Sequence, residues 1–168
     1  MAEDQRFLSK RSDVISFQTG PLANGVTMAG PLKANLVVST SGSDSDFIVK
    51  LIDVFPSSSG DAVGGQQVLI RWEVMRGRYR NSFQNPEAFE SGRPTNLSIK
   101  INDVAHTFAP GHRIMVQIQS SMFPLIDRNP QTFVDIYNAE PKDFRAARNR
   151  VYHNRGQVSS IRFERLKP

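Results

Sequence analysis

The chain has 168 residues, of which 39% are hydrophobic and 22% charged. This length suits one domain, which can bury about 70% of its unfolded surface around a single core. Cysteine is absent, which excludes disulfides, thiol nucleophiles and thiolate metal ligands. No apolar run approaches the roughly 18 residues of a membrane span, and the N-terminal residues lack the apolar stretch of a signal peptide.

The net charge is +5, and it is concentrated at the C-terminal end, where Lys142 and the residues after it include eight basic and only two acidic side chains. A basic surface attracts nucleic acid, an anionic surface or an acidic protein partner. Fifteen of the 21 basic residues are arginine, whose planar guanidinium suits hydrogen bonding to carboxylates within interfaces. Because no nucleic-acid reader motif accompanies the charge, we expect a protein partner, with no nucleic acid and no membrane.

Segments that alternate apolar and polar residues with a period of two predict half-buried strands. In chain order, these predicted strands are residues 14–18, 26–29, 32–39, 47–55, 68–75, 97–102, 114–120, 133–136 and 158–163. Turn-forming pairs such as Gly30-Pro31 and Pro110-Gly111 separate them. Residues 141–149 predict one short helix. The pattern as a whole predicts an all-β fold, an antiparallel β-sandwich jelly roll with a galactose-binding-like architecture.

Catalytic motifs are missing. None of the glycines belongs to a Gly-x-Ser-x-Gly nucleophile elbow, and there is no glycine-rich phosphate loop. His106 and His112 flank a turn, which favours hydrogen-bonded turn residues and leaves a metal or acid–base role as the alternative. Asp44 and Asp46 precede a strand and favour a turn, with a calcium site left open as the second interpretation. We therefore predict no catalytic residue and no cofactor.

Aromatic residues alternate with arginines between Arg76 and Phe83. This segment favours docking on a neighbouring domain, with Arg78 and Arg80 as partners for carboxylates. The alternative is a groove in which the rings stack on bases or sugars.

An ordered set of short motifs resembles a known family. The motifs are residues 45–47 leading into 50–54, 76–80, 106–108, 111–124 and 127–133, the last reading Asp-Arg-Asn-Pro-Gln-Thr-Phe. Together they resemble the C-terminal jelly-roll domain of the X-prolyl dipeptidyl peptidase and cocaine esterase family. Within that family the chain is most similar to α-amino-acid ester hydrolases and glutaryl acylases.

The resemblance implies a serine hydrolase parent, bacterial in origin, whose triad lies on an α/β-hydrolase domain that precedes the jelly roll. The chain alone should then be inactive on ester, β-lactam amide or X-Pro peptide substrates. Residues 1–12 resemble the crossover from the hydrolase domain, and residues 13–168 correspond to the jelly roll. The implied partner is the hydrolase domain of the same parent. Two questions are left open: whether the chain forms a homo-oligomer, and whether the parent is exported to the periplasm or the extracellular space.

In this family the jelly roll stabilises the hydrolase domain and helps to wall its substrate cleft. The expected interdomain contacts are Arg78, Tyr79, Arg80, Phe123, Asp127, Arg128 and Asn129. As an alternative, Asp127 and Arg128 pair within their own loop. The alternative function is a stand-alone carbohydrate-binding module, because jelly rolls with exposed aromatic residues often bind sugars.

Overall fold

The computed structural model describes residues 4–57 and 64–166, in which nearly all regular structure is strand. The strands are β1 (Val14–Gln18), β2 (Val26–Thr40), β3 (Asp46–Val54), β4 (Gln67–Arg76), β5 (Thr95–Phe108), β6 (Arg113–Gln119), β7 (Asn149–Val151), β8 (His153–Asn154), β9 (Gln157–Val158) and β10 (Ser160–Arg162). Three short 3₁₀ helices accompany them, at Gln5–Leu8, Gly77–Tyr79 and Pro141–Asp143. No helix in these two ranges is long and apolar enough to cross a membrane.

The strands form two antiparallel sheets that pack face to face. The first sheet has the order β1-β6-β3-β4, and the second has the order β10-β2-β5, with β7 also paired to β2. β8 and β9 form a separate small hairpin. This architecture confirms the predicted all-β antiparallel sandwich.

The core lies between the two sheets and follows the alternation of the sequence. Inward-facing residues of β2 and β5 are buried while their neighbours along each strand are mostly more exposed, as a half-buried strand requires. Each such aliphatic side chain contributes about 1.5–3 kcal/mol when it leaves water. Fully buried members of this core include Leu32, Val38, Phe47, Val49, Leu97, Ile99, Ile101 and Phe108.

The pair Gly30-Pro31 does not make the predicted turn. β2 runs through it without a break and pairs with β5 along its length, from Val26 opposite Phe108 to Val38 opposite Thr95. The register shifts at Gly30, whose φ of 99° is a conformation that favours glycine. The glycine therefore forms a β-bulge inside one long strand. A Gly-Pro pair can indicate such a bulge as well as a turn.

Two further predicted elements are wrong. Residues 133–136 form no strand, because their backbone bonds to neighbouring loops: Phe133 N donates to Ser43 Oγ at 2.9 Å. Residues 141–149 form no helix beyond the 3₁₀ turn Pro141–Asp143. Residues 144–148 have no regular structure, and of the predicted helix only Asn149 pairs with β2, opposite Thr40.

The N-terminal segment covers the outer face of the first sheet. Asp4 pairs with Val68 of β4 at one edge of this sheet, and β1 lies at its other edge, so the residues between them cross its face. Lys50 Nζ donates to Gln5 Oε1 at 2.9 Å, and Leu8 is buried. Burial lowers the pKa of Lys50 to about 8. The role of residues 1–12 as an interdomain crossover stays a prediction.

Candidate docking surface at the loop end

Three loops meet at one end of the sandwich, which we call the loop end. They are residues 41–45 between β2 and β3, residues 77–94 between β4 and β5, and residues 120–148 between β6 and β7. All seven interdomain residues predicted from the sequence belong to the second and third of these loops. The loop end is therefore the part of the described structure where those predictions can be compared with geometry.

A buried ion pair joins the three loops. Arg78 Nη2 lies 2.7 Å from Asp44 Oδ2, and the two side chains are 8% and 0% exposed. The same guanidinium donates through Nε to Asp44 Oδ2 at 2.8 Å and through Nη2 to Val134 O at 2.7 Å. Because Asp44, Arg78 and Val134 belong to different loops, this arginine fixes all three in one arrangement.

Asn129 completes the cluster. Its Nδ2 donates to Asp44 Oδ2 at 2.9 Å and to Asp46 Oδ1 at 2.8 Å. Asp46 also faces Arg76, whose Nη1 lies 3.6 Å from Asp46 Oδ2. Both carboxylates are thus met by cationic and amide donors, an arrangement unlike a calcium site, where several oxygens point at the ion.

Burial controls the ionisation of Asp46. Loss of solvation raises the pKa of Asp46 to about 6, and the hydrogen bond from Asn129 and the charge of Arg76 act in the opposite direction. Burying the charged carboxylate of Asp46 costs free energy. The hydrogen bond from Asn129 and the nearby charge of Arg76 offset part of that cost. We name Asp44, Asp46, Arg76, Arg78 and Asn129 the ion cluster.

Four large apolar side chains on the second and third loops are exposed to solvent. Phe83 and Tyr137 are each 81% exposed, Phe123 is 65% exposed and Leu125 is 54% exposed. Isolated exposed apolar residues are common, but four on adjoining loops at one end of a domain are typical of an interaction surface. We call these four residues the apolar rim.

The remaining predicted contact residues divide into two groups. Tyr79 stacks on Phe83 with ring centroids 6.3 Å apart, and Arg80 is occupied within its loop by the carbonyl oxygens of Glu87 and Ala88. Asp127 and Arg128 are exposed. Among the described residues, no ion pair or hydrogen bond joins their side chains, so the pairing considered as an alternative does not form.

The two histidines meet at the opposite end of the sandwich. His106 Nε2 lies 2.8 Å from Asp53 Oδ2, and His112 Nδ1 lies 2.8 Å from Asp53 Oδ1. Both imidazoles therefore bind one buried carboxylate and link β5 of the second sheet to β3 and to the turn before β6 of the first. This geometry supports the hydrogen-bonded interpretation of the histidines. Within residues 4–57 and 64–166, no group of three or more histidine, aspartate or glutamate side chains is arranged so that it could hold a metal ion.

The sequence analysis missed three of these features. Asp53 was not singled out, although a charged residue at the end of the apolar run in β3 was a usable signal. Tyr137 was missed because it lies in a loop without periodicity. Asp44 and Arg78 were both noted, but nothing local indicated that residues 34 positions apart bind one another.

The fold is that of an antiparallel β-sandwich domain with exposed apolar residues on the loops at one end. Residues 3–162 match the model of the family described as the X-Pro dipeptidyl-peptidase C-terminal non-catalytic domain. The chain belongs to this family.

Similar proteins are hydrolases several times longer than the chain. Cocaine esterase of Rhodococcus sp. (strain MB1 Bresler) is 36% identical over 158 residues, which is 94% of this chain and 26% of that protein. An α-amino acid ester hydrolase structure, labelled with selenomethionine, has a TM-score of 0.94 and 46% identity over 98% of this chain and 27% of its own. An aminopeptidase from a marine sediment Thaumarchaeota archaeon has a TM-score of 0.95 and 42% identity over 98% and 28%.

The chain thus spans about a quarter of the length of these relatives. It corresponds to their non-catalytic C-terminal portion, as the resemblance predicted. Nothing in the three comparisons supports the carbohydrate-binding alternative.

Proposed function

We propose that this chain is the accessory domain of a serine ester or amide hydrolase and that the catalytic portion docks on its loop end. The docked domain would stabilise the catalytic portion and form one wall of its substrate cleft. The partner is a protein and not nucleic acid or a membrane. Whether the chain also forms a homo-oligomer is left open. The observation that carries the proposal is the apolar rim, exposed on loops that the buried ion cluster holds in place.

The loop end suits docking because its loops are already held in one arrangement. A docking surface loses less conformational entropy when its loops are already ordered before the partner arrives. The Arg78 bonds to Asp44 and to Val134 O supply that order, since all the bonded groups lie within the domain. Arg78 and Asn129 would then act on the interface indirectly, by positioning the loops.

The residues that would touch the partner are those left exposed. Phe123, Leu125 and Tyr137 offer apolar anchors, while Asp127 and Arg128 offer charged groups between them. Interfaces are typically built in this way, from a few buried aromatic or arginine anchors within a polar surround. Tyr79 and Arg80 would contribute by supporting the loop that carries Phe83.

The test is a chimera in which this chain replaces the matching 27% of the α-amino acid ester hydrolase. The rate of thermal inactivation of ester hydrolysis would be compared for the parent chimera and its Phe123→Ser and Tyr137→Ser variants. Val158→Ser is the matched control, because Val158 is 63% exposed but lies in the β8–β9 hairpin and not in a loop of the loop end.

We expect the two loop-end variants to inactivate faster, since each removes an apolar side chain that docking would bury, and the control to match the parent. Equal inactivation of all four proteins would refute docking through the loop end. Ester turnover by the 168-residue chain alone would refute the assignment as a non-catalytic domain.

A further inference from the structure

Beside the apolar rim lies a cavity of about 510 Å³, whose lining includes Arg128, Phe144 and Arg148 of the third loop and Ile15 of β1. Its floor is formed by core residues of the two central strands of the first sheet, Phe47 and Ile118. A concave site with an apolar floor and a few polar groups at its margin is typical of small-molecule sites, which measure about 300–1,000 Å³.

Arg128 is held at the margin of this cavity by two aromatic rings. Its Cζ lies 5.7 Å from the ring centroid of Phe123 and 5.2 Å from that of Phe144. Contacts of this kind restrict the guanidinium while its N–H groups make no conventional hydrogen bond to either ring. The donors of Arg128 are left available to another group.

The positive charge at the margin is not neutralised within the domain. In the described ranges, neither Arg128 nor Arg148 has a carboxylate within ion-pair distance. The acidic residue that lines the cavity, Asp13, is already bonded to Arg11 at 2.9 Å. The margin therefore carries two free guanidinium groups opposite an apolar floor.

From this arrangement we propose that the cavity binds a small carboxylic acid with an apolar group. The carboxylate accepts hydrogen bonds from Arg128, with the charge of Arg148 nearby, and the apolar group lies on Ile15 and Ile118. We place a free acid there and not an acidic side chain of the docked portion, because Ile15 and Ile118 give the apolar group of such an acid its own contact surface. Residues of this chain alone form the cavity, so binding to the isolated chain does not rest on docking; a docked partner that contacts Arg128 would compete with the acid for the same guanidinium.

The experiment is a titration of the ¹⁵N-labelled 168-residue chain with phenylacetate, followed by amide chemical shifts. Phenylacetamide, which has nearly the same shape without the charge, is the ligand control. The variants are Arg128→Gln and Arg148→Gln, and the matched control is Arg155→Gln, an exposed arginine of the β8–β9 hairpin.

We expect phenylacetate to cause saturable amide shifts around Phe144 and Ile15. Phenylacetamide should bind the parent about tenfold or more weakly, and phenylacetate should bind Arg128→Gln with a similar loss of affinity. In each case a charged hydrogen bond is removed. Arg148→Gln should bind less tightly by a smaller factor, and Arg155→Gln should bind as the parent does. The proposal is overturned if no saturable shift occurs, if the amide binds as well as the acid, or if Arg128→Gln and Arg155→Gln bind equally. None of these results would affect the docking proposal, which is tested in the chimera.

Discussion

Replacing Arg78 by methionine should destabilise the domain more than any substitution of an exposed arginine. Methionine keeps an unbranched side chain of similar length but removes the guanidinium, leaving Asp44 fully buried without its ion-pair partner. Breaking a buried pair by removing one partner costs about 3–5 kcal/mol. This is a large share of the roughly 5–15 kcal/mol by which most domains are stable.

Urea denaturation measures the free energy of unfolding for the parent, Arg78→Met and the double variant Arg78→Met/Asp44→Leu. The double variant should recover much of the loss, because it removes the orphaned charge as well. Arg93→Met is the control, since Arg93 forms its ion pair with Glu90 at the surface and should show no measurable change. If Arg78→Met behaves like Arg93→Met, the ion cluster does not hold the loop end together.

Three further predictions concern single positions. The raised pKa of Asp46, about 6 against an ordinary 3.8, means that the folded state holds a proton which the unfolded state releases. The contribution of Asp46 to the free energy of unfolding should therefore fall by about 2–3 kcal/mol as the pH rises from 4 to 7, and Asp46→Asn should lose this contribution in urea titrations at each pH; an unchanged slope would contradict the assignment. Gly77→Ala should cost about 1–3 kcal/mol in the same assay, because the added Cβ would lie 2.3 Å from Phe89 Cε2 and 2.6 Å from the backbone oxygen of Ser45; a neutral result would show that the ring and the backbone of the first loop both yield without cost. Asp53→Ala should lower the free energy of unfolding by about 2–4 kcal/mol through the loss of two histidine hydrogen bonds, and a change below about 1 kcal/mol would show that they contribute little.

The sheets could be predicted from the sequence because burial on one face imposes a period of two. The strands predicted at residues 14–18, 47–55 and 114–120 match β1, β3 and β6 closely. The errors occurred where pairing partners distant in sequence decide the structure. Gly30 was interpreted as a turn because a bulge uses the same residue. Residues 141–149 were predicted to be a helix because nothing local indicates that the segment ends by pairing with β2 at Asn149.

The candidate site was only partly predictable for the same reason. The sequence indicated the third loop and its exposed Phe123 and Arg128, since such groups in a long loop suggest an interface. It did not indicate that Arg78 would be buried against Asp44, because that pairing depends on the sandwich bringing two loops together. Long-range side-chain pairs in loops have no periodicity from which they can be recognised.

We propose this chain as a non-catalytic domain that supports a separate hydrolase portion. The most direct measurement is turnover of a phenylglycine ester by the purified chain, alone and mixed with an α-amino acid ester hydrolase that lacks its matching domain. We predict no turnover by the chain alone and longer-lived turnover in the mixture than in the truncated hydrolase by itself. Turnover by the chain alone that a serine-directed phosphonate abolishes would contradict the account.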